Sequence, residues 1–303
     1  MDFNTLAAFI KNVGKDYDIP GCDICVYYNH INVFRQHSGF SDADGKIKVS
    51  KRNLYFMNAG AKIMCCTAVM QLAQRFKLSL NDKLSHYVQS ADDDITVRDL
   101  LRKYSEFNPG KNDPMGFNAV KQLIEKASGV SFEDYIFENI TKPLKMKSTT
   151  FSLNDKNRSL IAKQYNFVGG GKRVVECNTS VDELHNRHNG CLITTVDDYA
   201  KFCEALCGRG ASKNGYRVLN PESVDMLINN IVYKETEKDD AFVCIGHNGS
   251  LVLIDTKKKI SIVYAQHMRG MGVNQLEMYP KLRKTVYECV GADTWSKGYN
   301  VFP

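Results

Sequence analysis

The sequence predicts an α+β fold with a central antiparallel sheet, built from N- and C-terminal segments, and a helical insertion between them. Two stretches carry the alternating apolar pattern of strands, and they lie near opposite ends of the chain, at residues 19–42 and 241–267. Between them, apolar residues recur mostly at helical spacing and are flanked by residues that favour helix ends. Strands from both ends with helices between them indicate one sheet flanked by helices.

The first two elements are predicted to be an amphipathic helix and a β-hairpin. Apolar side chains recur at helical spacing over residues 1–17, which predicts a helix with one buried face. Two extended runs follow, and Asn29 and His30 separate them as the turn of a hairpin. The apolar positions of the helix are Phe3, Leu6, Phe9, Ile10 and Val13.

Four helices are predicted in the first part of the insertion. Residues 59–76 are apolar on nearly all sides, which predicts a helix buried in the centre of the protein. Thr96 is the expected N-cap of the second helix, with Asp99 as the acid of a capping box. Gly129 is expected to end the third helix, and Ser131 to begin the fourth.

The rest of the chain contains an irregular segment, further helices and a second hairpin. Residues 150–188 are polar, and the three consecutive glycines 169–171 indicate a turn. Lys257–Lys259 separate two alternating apolar runs, which predicts a hairpin with a solvated, charged turn. The three remaining helices are predicted at residues 194–210, 220–230 and 274–290.

We expect a single domain over residues 1–303 with two lobes. A sheet lobe would comprise about residues 1–57 and 240–303, and a helical lobe about residues 58–239. A chain of 303 residues is long enough to bury a large core within one domain.

Composition argues against several classes of function. Hydrophobic residues make up 43% of the chain and charged residues 24%, which is ordinary for a soluble globular protein. The net charge is +6 and the basic residues are scattered, so we expect no nucleic-acid partner. Nowhere does the sequence approach the run of about 20 apolar residues that spans a bilayer, so we expect no membrane partner.

The ten cysteines favour reduced thiols over a disulfide framework. The N-terminal segment lacks the basic and apolar regions of a secretory signal, so a cytoplasmic location is expected. Cys22 and Cys25 form a C-x-x-C pair, but they lie in a strand-like run and a second pair is missing. The sequence therefore predicts no metal site and no cofactor.

Six segments, spread over almost the whole chain, carry a likeness to known proteins. In order they are "IPGCDICVYYNHINVFRQHSGFSDADGKI", "FKLSLNDKLSHYV", "ITVRDLLRKYSEF", "LIEKASGVSFEDYIFENITKPLKMKSTTF", "NGCLITTVDDYAKFCEAL" and "GHNGS". Together they resemble the serine β-lactamase and penicillin-binding-protein superfamily, in its branch of class C β-lactamases, D-alanyl-D-alanine peptidases and related esterases. The resemblance implies a β-lactamase/transpeptidase-like fold.

The resemblance also implies acyl transfer at the start of the buried helix. In the family, a serine there attacks a carbonyl to form an acyl-enzyme, and a lysine three residues later helps to take its proton. Lys62 occupies the lysine position, and Ala59 stands where the serine is expected. Because alanine has no attacking group, the covalent step cannot occur at residue 59.

The remaining family motifs are partly altered. Asn112 falls at the tyrosine position of the Y-x-N motif, and an amide cannot act as a general base near neutral pH. The third motif is retained, and its His247 is expected to face the cleft. Gly249 would let the backbone approach a ligand, and the Ser250 N–H would pair with the Ala59 N–H in an oxyanion hole.

Three interpretations of function remain open. The first is a pseudoenzyme, retained as a ligand-binding or regulatory module. The second is an acyl-serine hydrolase with a Ser→Ala substitution that traps its substrate. The third is an active hydrolase of ester, amide or peptide bonds with rearranged machinery around Lys62 and His247.

The expected partner is a small molecule or a peptide in the cleft. Ser105 lies where the resemblance places a turn beside the cleft, and it is a further candidate for ligand contact. The oligomeric state is left open by the sequence.

Overall fold

A computed structural model describes most of the 303-residue chain. The described residues are 1–42, 45–89, 91–105, 114–168, 173–176, 181–182, 191–228, 241–246, 248–269 and 273–292.

The helices and strands are numbered separately in chain order. The helices are α1 Asn4–Tyr17, α2 Asn58–Gln74, α3 Val97–Ser105, α4 Pro114–Ser128, α5 Phe132–Ile136, α6 Asp155–Arg158, α7 Val196–Cys207, α8 Pro221–Met226 and α9 Val273–Val290. The strands are β1 Gly21–Tyr28, β2 Ile31–Gly39, β3 Tyr55–Phe56, β4 Tyr165–Val168, β5 Arg173–Glu176, β6 Ile193–Thr194, β7 Ala241–Ile245, β8 Leu251–Asp255, β9 Ile260–Gln266 and β10 Met268–Arg269.

The main sheet joins the two ends of the chain. Its strand order is β2-β1-β9-β8-β7, and all neighbouring strands are antiparallel. The central β1–β9 pair runs from Cys22 opposite Gln266 to Tyr28 opposite Ile260. The predicted antiparallel sheet from N- and C-terminal segments is therefore confirmed.

The second predicted hairpin is larger than expected. The first of its two alternating runs contains two strands, β7 and β8, rather than one. A tight turn separates them, in which the Gly249 N–H donates to Gly246 O (2.9 Å) and Gly249 has φ +79°. The left-handed conformation at Gly249 lets the chain reverse within five residues, which the apolar alternation alone did not indicate.

Helices cover both faces of the sheet. On one face, α1 and α9 pack together, and Leu6, Ile10 and Leu282 are completely buried there. On the other face, α7 packs on β9, β1 and β8, and α2 lies beyond it among α3, α4 and β7. Cys22 belongs to the first core and Cys25 to the second, because residues three apart in a strand point to opposite faces.

The predicted helix ends are confirmed. Thr96 Oγ1 accepts from the Asp99 N–H (3.2 Å), and Asp99 accepts from the Thr96 N–H (3.1 Å), which forms the expected capping box. Gly129 follows α4 with φ +79°, and Ser131 Oγ accepts from the Asp134 N–H (3.1 Å) at the start of α5. Helix α2 is buried on nearly all sides, as its composition predicts.

The polar segment 150–188 holds more regular structure than its composition indicates. Strands β4 and β5 form an antiparallel pair, and β10 joins β4 in parallel. The glycines 169–171, predicted as a turn, lie outside the described residues.

The division into lobes stays a prediction. Helix α7 falls in the range predicted for the helical lobe, yet it packs directly on the sheet, so one core joins the two ranges. Within the ranges given above, none of the helices combines the length and the hydropathy of a bilayer span.

Candidate active site

The first turn of α2 is held from two sides. The Met57 N–H donates to Leu192 O (2.8 Å), and Cys191 Sγ donates to Asn58 Oδ1 (2.7 Å). Both contacts come from the chain segment that leads into β6. Ala59 is therefore the second residue of a helix whose start is anchored to a neighbouring strand.

Helix α7 fixes the same turn through a glycine. The hydroxyl of Tyr199 donates to Gly60 O (3.0 Å). A Cβ at residue 60 would lie 2.7 Å from the ring, inside van der Waals contact. Gly60 is thus required by close packing against Tyr199, which sequence analysis did not identify.

Lys62 lies between helix α3 and the edge strand β7. Its Nζ is 5.7 Å from the centre of the Tyr104 ring, which is a cation–π distance. The positive charge of Lys62 also acts to lower the pKa of the Cys66 and Cys244 thiols. The side chain of Lys62 is half-buried among these groups, in keeping with the inward orientation that the resemblance implies.

The thiols around Lys62 are poor nucleophiles. Burial raises the pKa of Cys65 to about 12, and a hydrogen bond from Tyr104 opposes this shift only in part. Burial also raises the pKa of Cys66, and it raises that of Cys244 to about 11 despite the Lys62 charge. These thiols are protonated at neutral pH, and a protonated thiol does not attack carbonyls.

Ser105 lies at the end of α3 and is buried. Its Oγ donates to Arg102 O (2.8 Å), one helical turn earlier, so its hydroxyl proton is bound to the backbone. The candidate role of Ser105 in ligand contact stays a prediction.

Asn248 and Gly249 of the third motif lie in the turn that follows the edge strand β7. The Gly246 N–H donates to Ser250 O (2.7 Å), and Tyr279 of α9 donates to Gly249 O (2.7 Å). A Cβ at residue 249 would lie 2.5 Å from Gln266 Nε2, so glycine is needed for packing as well as for its positive φ.

Two of the predicted site residues lie outside the described residues. They are Asn112, at the tyrosine position of the Y-x-N motif, and His247, in the third motif. Their roles stay predictions, and so does the oxyanion hole between the N–H groups of Ala59 and Ser250.

Sequence analysis missed a group of polar side chains around the third motif. Asn248, Ser250 and His267 are all buried, and Asn248 Oδ1, Ser250 Oγ and both ring nitrogens of His267 have no hydrogen-bond partner within the part of the chain that the structure describes. Burial lowers the pKa of His267 to about 4, while the nearby Asp42 carboxylate acts in the opposite direction. The available signal was the polar pair Gln266-His267 at the end of an apolar strand.

Comparison with known proteins points to one family over most of the chain. The sequence model of the family described as Beta-lactamase matches residues 6–269.

The curated relatives are distant. Protein flp of Staphylococcus aureus (strain MW2) is 25% identical over 174 residues, which are 44% of this chain and 35% of that protein. Teichoic acid D-alanine hydrolase of Staphylococcus aureus (strain MRSA252) is 21% identical over 218 residues, which are 59% of this chain and 55% of that protein. The matched region is therefore only part of either relative.

A solved structure agrees with the fold. Simvastatin synthase from Aspergillus terreus, as its LovD6 mutant, aligns with a TM-score of 0.77 and 14% identity over 93% of this chain and 94% of that chain. The β-lactamase/transpeptidase-like architecture expected from the sequence is confirmed.

Proposed function

This chain belongs to the beta-lactamase family, and on that premise we propose that it is a ligand-binding protein that no longer forms an acyl-enzyme. The observation that carries the proposal is Ala59, at the family's nucleophile position in the first turn of α2. A methyl side chain cannot attack a carbonyl, so acyl transfer by the family's route stops at its first step.

Replacement nucleophiles are disfavoured among the described residues near Lys62. The thiols of Cys65, Cys66 and Cys244 have raised pKa values because they are buried. The hydroxyl of Ser105 is bonded to the backbone of its own helix. This supports loss of the covalent step rather than its transfer to a neighbouring side chain.

The scaffold around the lost nucleophile supports retained binding. The contacts of Asn58 with Cys191 and of Gly60 with Tyr199 hold the first turn of α2 in place. Lys62 keeps a cation beside this turn. These contacts keep the position of this turn independent of the missing hydroxyl, and a small molecule or a peptide is the ligand we propose.

The Ala59→Ser variant tests whether only the nucleophile is missing. We expect it to gain hydrolysis of an activated ester, because the new hydroxyl would stand three residues before Lys62 on the same face of α2. A rate at least about tenfold above the wild type is expected, which is less than the roughly 10²–10⁴-fold that a positioned proton acceptor contributes in an intact site. The measurement is ester hydrolysis together with the intact mass of the acylated protein.

Two controls accompany this test. Ala61→Ser adds the same hydroxyl to the same helical turn at a different angle and should stay inactive. Ala59→Ser combined with Lys62→Met should lose the gained activity. Covalent labelling of the wild-type protein by a fluorescent penicillin or an activated ester would overturn the proposed function, and peptide mapping would locate the true nucleophile.

A further inference from the structure

Tyr104, near the end of α3, contacts helix α2 at two side chains. The Lys62 Nζ lies over the Tyr104 ring, 5.7 Å from its centre. The Tyr104 hydroxyl hydrogen-bonds the thiol of Cys65, which is three residues after Lys62 on the same side of α2. Tyr104 is only 7% exposed, so the core around it keeps the ring in this position.

The hydroxyl of Tyr104 does not act as a proton acceptor at neutral pH. Burial raises the pKa of Tyr104 well above its ordinary value of 10, and the Cys65 thiol acts in the same direction. The hydroxyl is therefore protonated and points into the core beside Cys65, which is itself completely buried. What Tyr104 presents to Lys62 is the face of its ring, whose negative charge distribution attracts a cation.

Neutral thiols also lie around Lys62 within the described residues. Burial raises the pKa of each thiol further above neutral pH, so none of them supplies a negative charge. These thiols are Cys65 and Cys66 on α2 and Cys244 on the edge strand β7. Ala59, three residues before Lys62, offers the ammonium no side-chain oxygen. The ring of Tyr104 therefore gives Lys62 a contact that depends neither on a carboxylate nor on the missing hydroxyl.

We propose that Tyr104 is a positioning residue, which holds the Lys62 ammonium beside the first turn of α2 and keeps it charged through the face of its aromatic ring. The inference rests on the proposed ligand-binding function, because it names the residue that maintains the cation of that site. It assigns the effect to the electron density of the ring rather than to the Tyr104 hydroxyl or to the volume of the side chain. Substitutions at residue 104 separate these three contributions.

A series of rings of nearly equal size at residue 104 tests the role of electron density. Phenylalanine, 3,5-difluorophenylalanine and 3,4,5-trifluorophenylalanine all lack the hydroxyl, so the loss of the contact with Cys65 is common to the series. Fluorine progressively weakens the negative face of the ring. We expect the pKa of Lys62 to fall stepwise along the series, by about 0.5 in total, as a cation–π contact is lost.

The pKa of Lys62 is measured by NMR between pH 7 and pH 11, on the full chain labelled with carbon-13 at the lysine Cε atoms. Lys62→Met identifies the Lys62 signal. The matched control is the trifluoro ring at Phe117, which is 8% exposed and packs against the rings of Phe132 and Phe151, and it should leave the pKa of Lys62 unchanged. A Lys62 titration that is the same throughout the residue 104 series would overturn the proposal.

Two simple variants separate the ring from the hydroxyl and from side-chain volume. Tyr104→Phe keeps the ring and should leave the pKa of Lys62 within about 0.2 of the wild-type value. Tyr104→Leu should lower it by about 0.5–1, whereas a cavity that merely admitted water would raise it. The Lys62 ε protons should lose their upfield ring-current shift only in Tyr104→Leu. A larger change in Tyr104→Phe than in Tyr104→Leu would overturn the proposal, and the fluorinated series decides if Tyr104→Leu fails to fold.

Failure of this inference is separable from failure of the proposed function. The NMR measurements report the contact of Lys62 with Tyr104 without any substrate, whereas intact-mass analysis of the wild type with a penicillin reports covalent chemistry alone. A covalent adduct together with a ring-dependent pKa of Lys62 would overturn only the proposed function. Absence of an adduct together with a pKa of Lys62 that does not depend on the ring would overturn only this inference.

Discussion

At the scale of single residues, the site combines an altered side chain with preserved packing. Ala59 replaces the expected serine, but Gly60 beside it still packs against Tyr199, and Lys62 still faces the ring of Tyr104. The sequence predicted the chemical loss at residue 59. It could not show the role of Gly60, because that role depends on packing against the Tyr199 ring, which lies 139 residues later in the chain.

His267 provides a prediction about pH at the residue scale. The pKa of its ring is about 4 in the folded protein and 6.5 as the ordinary value, so the unfolded chain binds the proton more readily. Neutral His267 makes its full contribution to the free energy of unfolding above pH 6.5. As the pH falls to about 4, the free energy of unfolding decreases by about 3 kcal/mol because the unfolded chain takes up the proton first. His267→Asn should remove this loss, as measured by urea unfolding between pH 4.5 and 7.5.

Asp23 opposes the effect of His267 in nearly the same window. Burial raises the pKa of Asp23 to about 6 from 3.8, so this group stabilises the fold as the pH falls through 6. The wild type should therefore vary little with pH, while His267→Asn should become more stable as the pH falls from 6.5 to 4.5. Parallel pH profiles for the two proteins would contradict the burial of a neutral His267.

At the scale of secondary-structure elements, an ion cluster fastens α7 to the sheet. Arg35 of β2 bonds the fully buried carboxylate of Asp23 on β1 and also Asp197 in the first turn of α7, with 2.7 Å between Arg35 Nε and Asp197 Oδ1. Asp197 at that position also suits the positive end of the helix dipole. The cluster therefore ties the first turn of α7 to the sheet, and α7 in turn contacts α2 through Tyr199.

Replacing Arg35 should destabilise the fold, because it leaves the buried carboxylate of Asp23 without its cationic partner. We expect Arg35→Met to lower the free energy of unfolding at pH 7.5 by about 3–5 kcal/mol, the usual result of breaking a buried ion pair from one side. The matched control is Arg209→Met, whose partner Asp225 is exposed, and it should cost at most about 1 kcal/mol. Chemical denaturation measures both, and similar costs for the two variants would contradict the argument.

At the scale of the whole molecule, the sheet is shared by two cores. Leu282 lies in the core between the sheet and helices α1 and α9, and Leu72 lies in the core that contains α2 and α7. The central β1–β9 pair brings residues from both ends of the chain together. Since both cores need the same sheet, we expect the described parts of the chain to unfold in one cooperative transition.

The single-domain prediction can be tested with one variant on each side of the sheet. Leu72→Ala and Leu282→Ala should each lower the free energy of unfolding by about 2–5 kcal/mol, the range for large-to-small changes in a core. Both should keep a single transition with an unchanged denaturant slope when followed by far-UV and near-UV circular dichroism. A separate early phase in either variant would indicate two folding units and contradict the prediction.

The sequence by itself determined the fold class, the strands at both ends, the buried helix α2 and most helix caps, because these depend on local periodicity and on residues close in the chain. It also determined the loss of the serine at residue 59. Only the tertiary structure decided the contact of Gly60 with Tyr199, the cluster of Arg35 with Asp23 and Asp197, and the buried polar atoms around Ser250. These features join segments that are distant in sequence, and neither periodicity nor motif spacing encodes which distant side chains pack together.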